Sequence, residues 1–174
     1  MLAQSRQKDY VIAYEVRREA QSVINHLVEG NVMVKAIDVK AELARLPFLH
    51  GRGKDTTDAE KSAAFTTLSP YRDGAIFGGS FSGESQWERH QQGDEIVHVL
   101  DGAATLTIMT DEGPQSFEMT AGMMIVVPQG CWHLFRAPAG VTIMTVSPQP
   151  TEHINAQDPR SIELFARLAA QSQR

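Results

Sequence analysis

Residues 87–102 read WERHQQGDEIVHVLDG and place Glu88, His90 and Glu95 in quick succession, three side chains able to coordinate a divalent metal. In an extended strand, residues two apart project to the same face, so Glu88 and His90 point together. Gln91-Gln92-Gly93-Asp94 has the polar, glycine-containing chemistry of a turn. A second strand then begins at Glu95 and runs into Asp101-Gly102. One hairpin can therefore gather three donors around a single point. A fourth has to come from elsewhere.

It is found in residues 122–133, GMMIVVPQGCWH, where an apolar run of strand type meets the turn Pro128-Gln129-Gly130 and is followed by His133. Together the two segments resemble the cupin family. The first cupin motif reads G-x5-H-x-H-x(3,4)-E-x6-G, and this chain supplies His90, Glu95 and Gly102 at the family spacing. The second, G-x5-P-x-G-x2-H-x3-N, is met by Gly122, Pro128, Gly130 and His133. The chain departs from the pattern in three places. Glu88 stands where the family has its first histidine, Ala137 where it has asparagine, and the opening glycine is displaced by one, as Gly83. Two motifs in the right order and separation, spanning roughly residues 65–150, form a specific signal. The resemblance implies a single jelly-roll β-barrel and a metal held by His90, Glu95 and His133.

The composition sets the frame for that barrel. With 174 residues, 42% hydrophobic and 21% charged, and a formal charge of −5, the chain suits one domain with appendages. A mildly acidic surface offers no electrostatic footprint for nucleic acid or an anionic membrane. No apolar stretch is long enough to cross a bilayer, and MLAQSRQKDYVIAYEV lacks the basic-then-apolar profile of a signal peptide, so a cytoplasmic location is expected. The single cysteine, Cys131, excludes an internal disulfide and agrees with a reducing compartment.

Along the chain, apolar residues recur at three- and four-residue spacing from about residue 8 to 29, the pattern of an amphipathic helix ending near Gly30. Residues 31–37 read as a short strand, and Asp38 as the N-cap of a short helix stopped by Pro47. Gly51-Arg52-Gly53 reads as a turn. Thr57 and Glu60 have the spacing of a capping box opening a helix towards Leu68. Beyond Pro70 the texture changes to short strands, expected at 75–81, 85–90, 95–100, 103–110, 115–119, 124–127, 132–137 and 141–146. From Asp158-Pro159 a C-terminal helix is expected. The expected division is an N-terminal arm at 1–69, the cupin barrel at 70–150 and the C-terminal helix at 151–174.

Strand alternation assigns faces. If Glu95 points inward, so do Val97 and Val99, leaving Ile96, His98 and Leu100 on an apolar outer face that needs a cover. A homodimer, with residues before about 70 contributing, is the expected solution. Cys131 reads as a buried inert thiol, and the methionines at 109, 119, 123, 124 and 144 as core filling. His26, His50 and His153 have no partner at ligand spacing and stay out of the site.

Two imidazoles and a carboxylate suit a divalent ion such as iron, manganese, zinc or nickel, with positions left open to a substrate. Glu88 keeps three readings: a fourth metal ligand, a general base beside the metal, or a partner of Arg89 or Arg136 at the barrel mouth. Without a cation, Glu88 and Glu95 are expected to crowd their charges and raise the pKa of at least one. The expected function is a metal-dependent enzyme of dioxygenase type on a small organic substrate, with Arg136 orienting an anionic group. An isomerase or lyase reaction fits the resemblance as well. The alternative is a non-catalytic module that senses or sequesters a metal or small ligand. No nucleic-acid or membrane partner is expected.

Overall fold

The computed structural model describes residues 35–161. The helix expected over residues 8–29, most of the 31–37 strand and all but the start of the C-terminal helix lie outside them. Residues 35–37 are irregular. Asp38 then accepts a hydrogen bond from the Ala41 amide (3.0 Å) and caps helix α1, Val39–Leu43. Its buried Leu43 packs where Gly78 leaves room.

Two expectations for the segment that follows are corrected. Gly51-Arg52 is not a turn: Leu49–Arg52 forms strand β1. Helix α2, Asp58–Ala64, opens with the expected capping box between Thr57 and Glu60, but it ends four residues before Leu68. Phe65 is already extended, and the β-branched Thr66 and Thr67 enter strand β2, Phe65–Tyr71.

Both strands are claimed by β3, Gly74–Glu84. β1 pairs with it in parallel (Leu49 opposite Phe81, Arg52 opposite Gly83), and β2 pairs antiparallel. Next come β4 (Trp87–His90), β5 (Glu95–Thr110), β6 (Gly113–Thr120), β7 (Met124–Val127), β8 (His133–Pro148) and β9 (Thr151–Ile154). Four of the expected strands merge into the two long ones, β5 and β8. These pair antiparallel from Ile96–Val146 to Ile108–His133, with register shifts around Asp101 and Gly102. Gly102 has φ +74°, and a side chain there would run into the backbone of Gly140. The long pair bends at that irregularity, and the curled sheet is a jelly roll. Strands β1 and β9 lie outside the expected 70–150 barrel limits, yet both pair within the sheet.

Alternation fills the interior as expected. Val97, Val99, Leu106, Phe135 and Val141 are sealed from solvent, together with Phe81 and Val127. A second cluster joins Trp87, Met109 and Trp132 with Leu134 and Ile154. Met123 and Met124 are corrected from core to surface. Met124 is 59% exposed and lies beside Ile96 (37%) and Val126 (47%) on the outer face of β5 and β7. Among the described residues no helix is long and apolar enough to cross a membrane.

Candidate metal centre

The geometry of the centre begins with β4, which lies between two strands. On one side Glu88 pairs with His133 of β8, and on the other with His153 of β9. The turn after β4 is tied to the turn before β8. The Gly130 amide donates to the His90 carbonyl (2.9 Å), the Gln129 amide to Asp94 Oδ1 (2.8 Å), and Gln129 Nε2 to the Gln91 carbonyl (2.6 Å). These bonds clamp the two motif segments together. His90, Glu95 and His133, all buried, bring one ligand atom each to within 4.8 Å of one another.

Both rings are oriented by backbone. His90 Nδ1 donates to the Pro148 carbonyl (2.9 Å) and His133 Nδ1 to the Cys131 carbonyl (3.3 Å). A carbonyl only accepts, so each Nδ1 carries its proton and each Nε2 is left with a lone pair in the neutral ring. Those Nε2 atoms face Glu95: His90 stands 3.3 Å from Oε1 and His133 2.9 Å from Oε2. Neither Nε2 nor Glu95 Oε2 makes a hydrogen bond. The carboxylate is also held by Ser147, whose Oγ donates to Oε1 (2.5 Å) and itself lies 2.7 Å from Thr145 Oγ1.

Lone pairs converging on lone pairs in a dry interior are unfavourable unless a proton or a cation lies between them. The donor set passes that test for a divalent ion: two imidazole nitrogens and a carboxylate, each ring fixed by a bond from its far nitrogen. In the metal-free protein, protons do the same work. Burial opposes the imidazolium of His133, but Glu88 and Glu95 outweigh it and raise its pKa to about 10. His90 is raised too, burial again opposing and Glu95 prevailing. Burial pushes Glu95 and Glu88 upward, yet the imidazoles around them hold both below the usual carboxylate range, Glu88 well below. The expected rise in the pKa of at least one of the two carboxylates is therefore corrected: the neighbouring histidines supply compensating charge.

Glu88 stands at the edge of this group. Its Oε1 is 3.5 Å from His133 Nε2, and its Oε2 accepts from His153 Nε2 at 3.2 Å. His153, set aside in the sequence, thus joins the site through β9. No local pattern in Thr151–Ile154 marked it; the neighbouring Glu152 pairs with Arg89 (2.7 Å), and Arg89 lies over Trp132. Arg136 is not brought to the centre. It is exposed on the outer face of β8, out of phase with the buried His133 and Phe135. Arg52 is another residue the sequence did not suggest: its guanidinium lies over Phe81 (4.9 Å) and Phe65 (5.3 Å).

Comparison with known proteins agrees with this architecture. The family described as "Cupin domain" matches residues 81–147. An acireductone dioxygenase of Rhodopseudomonas palustris is 42% identical over 60 residues, 34% of this chain and 36% of that protein. The match thus spans little more than a third of the length of the curated relative. Among solved structures, a Neisseria meningitidis protein superposes with TM-score 0.50 at 16% identity, over 66% of this chain and 100% of its own. A cupin-2 domain containing protein from Shewanella frigidimarina is 24% identical over 55% of this chain and 96% of its own, with TM-score 0.43.

Proposed function

Since residues 81–147 of this chain belong to the cupin superfamily, we propose that the protein is a metal-dependent enzyme of dioxygenase type acting on a small organic substrate. The observation that carries this reading is the convergence of His90 Nε2, His133 Nε2 and Glu95 Oε2, buried and without hydrogen bonds, on a common point. The local similarity to an acireductone dioxygenase supports the reaction class.

His90, Glu95 and His133 would hold the ion. Once bound, a divalent cation supplies Lewis-acid or one-electron chemistry to an oxygen-bearing substrate. The chain's own contributions are positional and protonic. Pro148 and Cys131 carbonyls fix the ring tautomers, Ser147 fixes Glu95, and the sealed core behind Phe135 keeps water from that side. Glu88, hydrogen-bonded by the partly exposed His153, is placed to hold or pass a proton at Oε2 at the edge of the centre.

Metal analysis of untagged protein, followed by oxygen-uptake assays with enediols, catechols and hydroxy acids, tests the proposal. The expected result is about one metal per chain and oxygen consumption with one substrate class, both abolished by His133→Ala. Full metal occupancy in His133→Ala removes the proposed centre, and stoichiometric metal without turnover on any substrate replaces the enzyme with a binding module.

A further inference from the structure

Arg52 occupies a position with no purpose in the metal centre described above. It is the last residue of β1, opposite Gly83, and its backbone nitrogen and oxygen fill the space a side chain at position 83 would need. This close approach directs the side chain over Phe81 and Phe65. Phe81 packs edge-on against Phe135 (6.1 Å between centroids), and Phe135 edge-on against His133 (6.2 Å). A continuous row of rings therefore runs from the guanidinium to the candidate ligand.

Ring faces attract the charge of a guanidinium but offer no lone pair to its N–H groups. Among the described residues Arg52 makes no side-chain hydrogen bond or ion pair. Burial draws its pKa below the ordinary arginine value, with the field of Glu88 opposing, so cation and carboxylate act on each other without touching. Glu88 is already engaged by His133 and His153. The residue as a whole is partly buried, and it is burial around the guanidinium that draws the pKa down. A buried cation with no hydrogen-bond or ion-pair partner among the described residues is the arrangement of an oxyanion receptor.

We infer that Arg52 binds the carboxylate or enolate of the substrate, so that the molecule handled at the metal centre is an organic anion. This rests on the metal-centre reading for the second anchor only; the anion-binding role belongs to Arg52 and its two aromatic neighbours. It also moves to β1 the role that strand phase denies to Arg136.

The test uses the full chain loaded with manganese, and titrates pyruvate, benzoate and salicylate, each beside its uncharged amide, by calorimetry against wild type, Arg52→Lys and Arg52→Gln. At least one carboxylate saturates wild type, weakens about ten- to a hundredfold in Arg52→Gln and less in Arg52→Lys, and its amide is indifferent to the substitution. Metal content and thermal midpoint of the variants stay at wild-type values. If Arg52→Gln does not fold, phenylglyoxal labelling of wild type replaces it: the carboxylate protects Arg52, read by peptide mass spectrometry, and the amide does not. Saturation by no carboxylate, equal affinity in wild type and Arg52→Gln, or labelling of Arg52 unaffected by carboxylate each overturns the inference. Arg52-dependent carboxylate binding to a protein that takes up no metal leaves the inference standing and sinks the metal centre instead.

Discussion

Glu95 Oε2 lies 2.9 Å from His133 Nε2 in the interior of the barrel, and no hydrogen bond closes the pair. Whatever occupies the space between them sets the charge of the centre. Two imidazolium rings with two carboxylates sum to zero, and so do two neutral rings, two carboxylates and one divalent cation. The ion therefore exchanges for protons without altering the net charge buried there.

The first prediction follows from that exchange. His133 is raised from 6.5 to about 10 in the metal-free protein, so its stabilising contribution is complete below pH 6.5 and disappears as pH climbs through 10. The lowered Glu88 and Glu95 act in the opposite sense. Their contribution is present above 4.5 and vanishes as pH falls through their depressed values. Metal-free protein should thus be most stable between these limits. Manganese or zinc should abolish the alkaline loss, and their uptake at neutral pH should release protons. Calorimetry in buffers of different ionisation enthalpy counts the protons; an uptake independent of buffer contradicts the exchange.

Ser147 offers a second check, because its hydroxyl donates to Glu95 Oε1, the oxygen that faces His90. Ser147→Ala removes the donor, leaving Glu95 Oε1 less well oriented and Thr145 without that partner. Metal affinity should fall about 10- to 100-fold, and stability by about 1–3 kcal/mol. Competition with a chelator of known affinity and urea denaturation measure the two. Unchanged affinity would make Ser147 a packing residue only.

What could be read in the sequence was whatever is local. His90 and Glu95 flank one turn, and His133 follows another, so the resemblance to the two cupin motifs could name three donors. The phase of Val97 and Val99 with Glu95 was equally readable, and Arg136 was too, since three residues from His133 on one strand puts it on the opposite face. His153 and Arg52 were not. Each arrives on a four-residue strand whose partner is distant in the chain, β4 for one and β3 for the other. No local pattern encodes such pairings. β2 was misread because a capping box marks only where a helix begins; the threonines that end it gain more from pairing with β3 than from another helical turn.

Glu88 stands where the motif has its first histidine, and its two histidine neighbours define a third prediction. With His153 removed, Glu88 loses one of the two imidazoles that hold its pKa down, and its carboxyl should titrate closer to the ordinary range. Infrared difference spectra of the carboxyl band across acidic pH, His153→Ala against wild type, record that rise. Glu88→His should keep metal binding, since His90, Glu95 and His133 are untouched, while making the loaded centre one charge more positive. A Glu88→His protein with the metal selectivity of wild type removes position 88 from the ligands and leaves it a proton-handling role.

Gly102 tests the bend that allows the barrel to close. It adopts φ +74° at the register shift between β5 and β8, with the Gly140 backbone where a side chain would begin. Gly102→Ala meets two penalties at once. The left-handed backbone is disfavoured by about 1–2 kcal/mol for an L-residue, and the collision with Gly140 forces the two long strands apart. A loss of more than about 2 kcal/mol is expected by urea denaturation. Glu95 and His133 open β5 and β8, and His90 lies on β4, all away from the bend, so folded Gly102→Ala should still bind one ion. A loss within the left-handed penalty alone would mean that the strands absorb the extra methyl, and that the bend is not fixed by this contact.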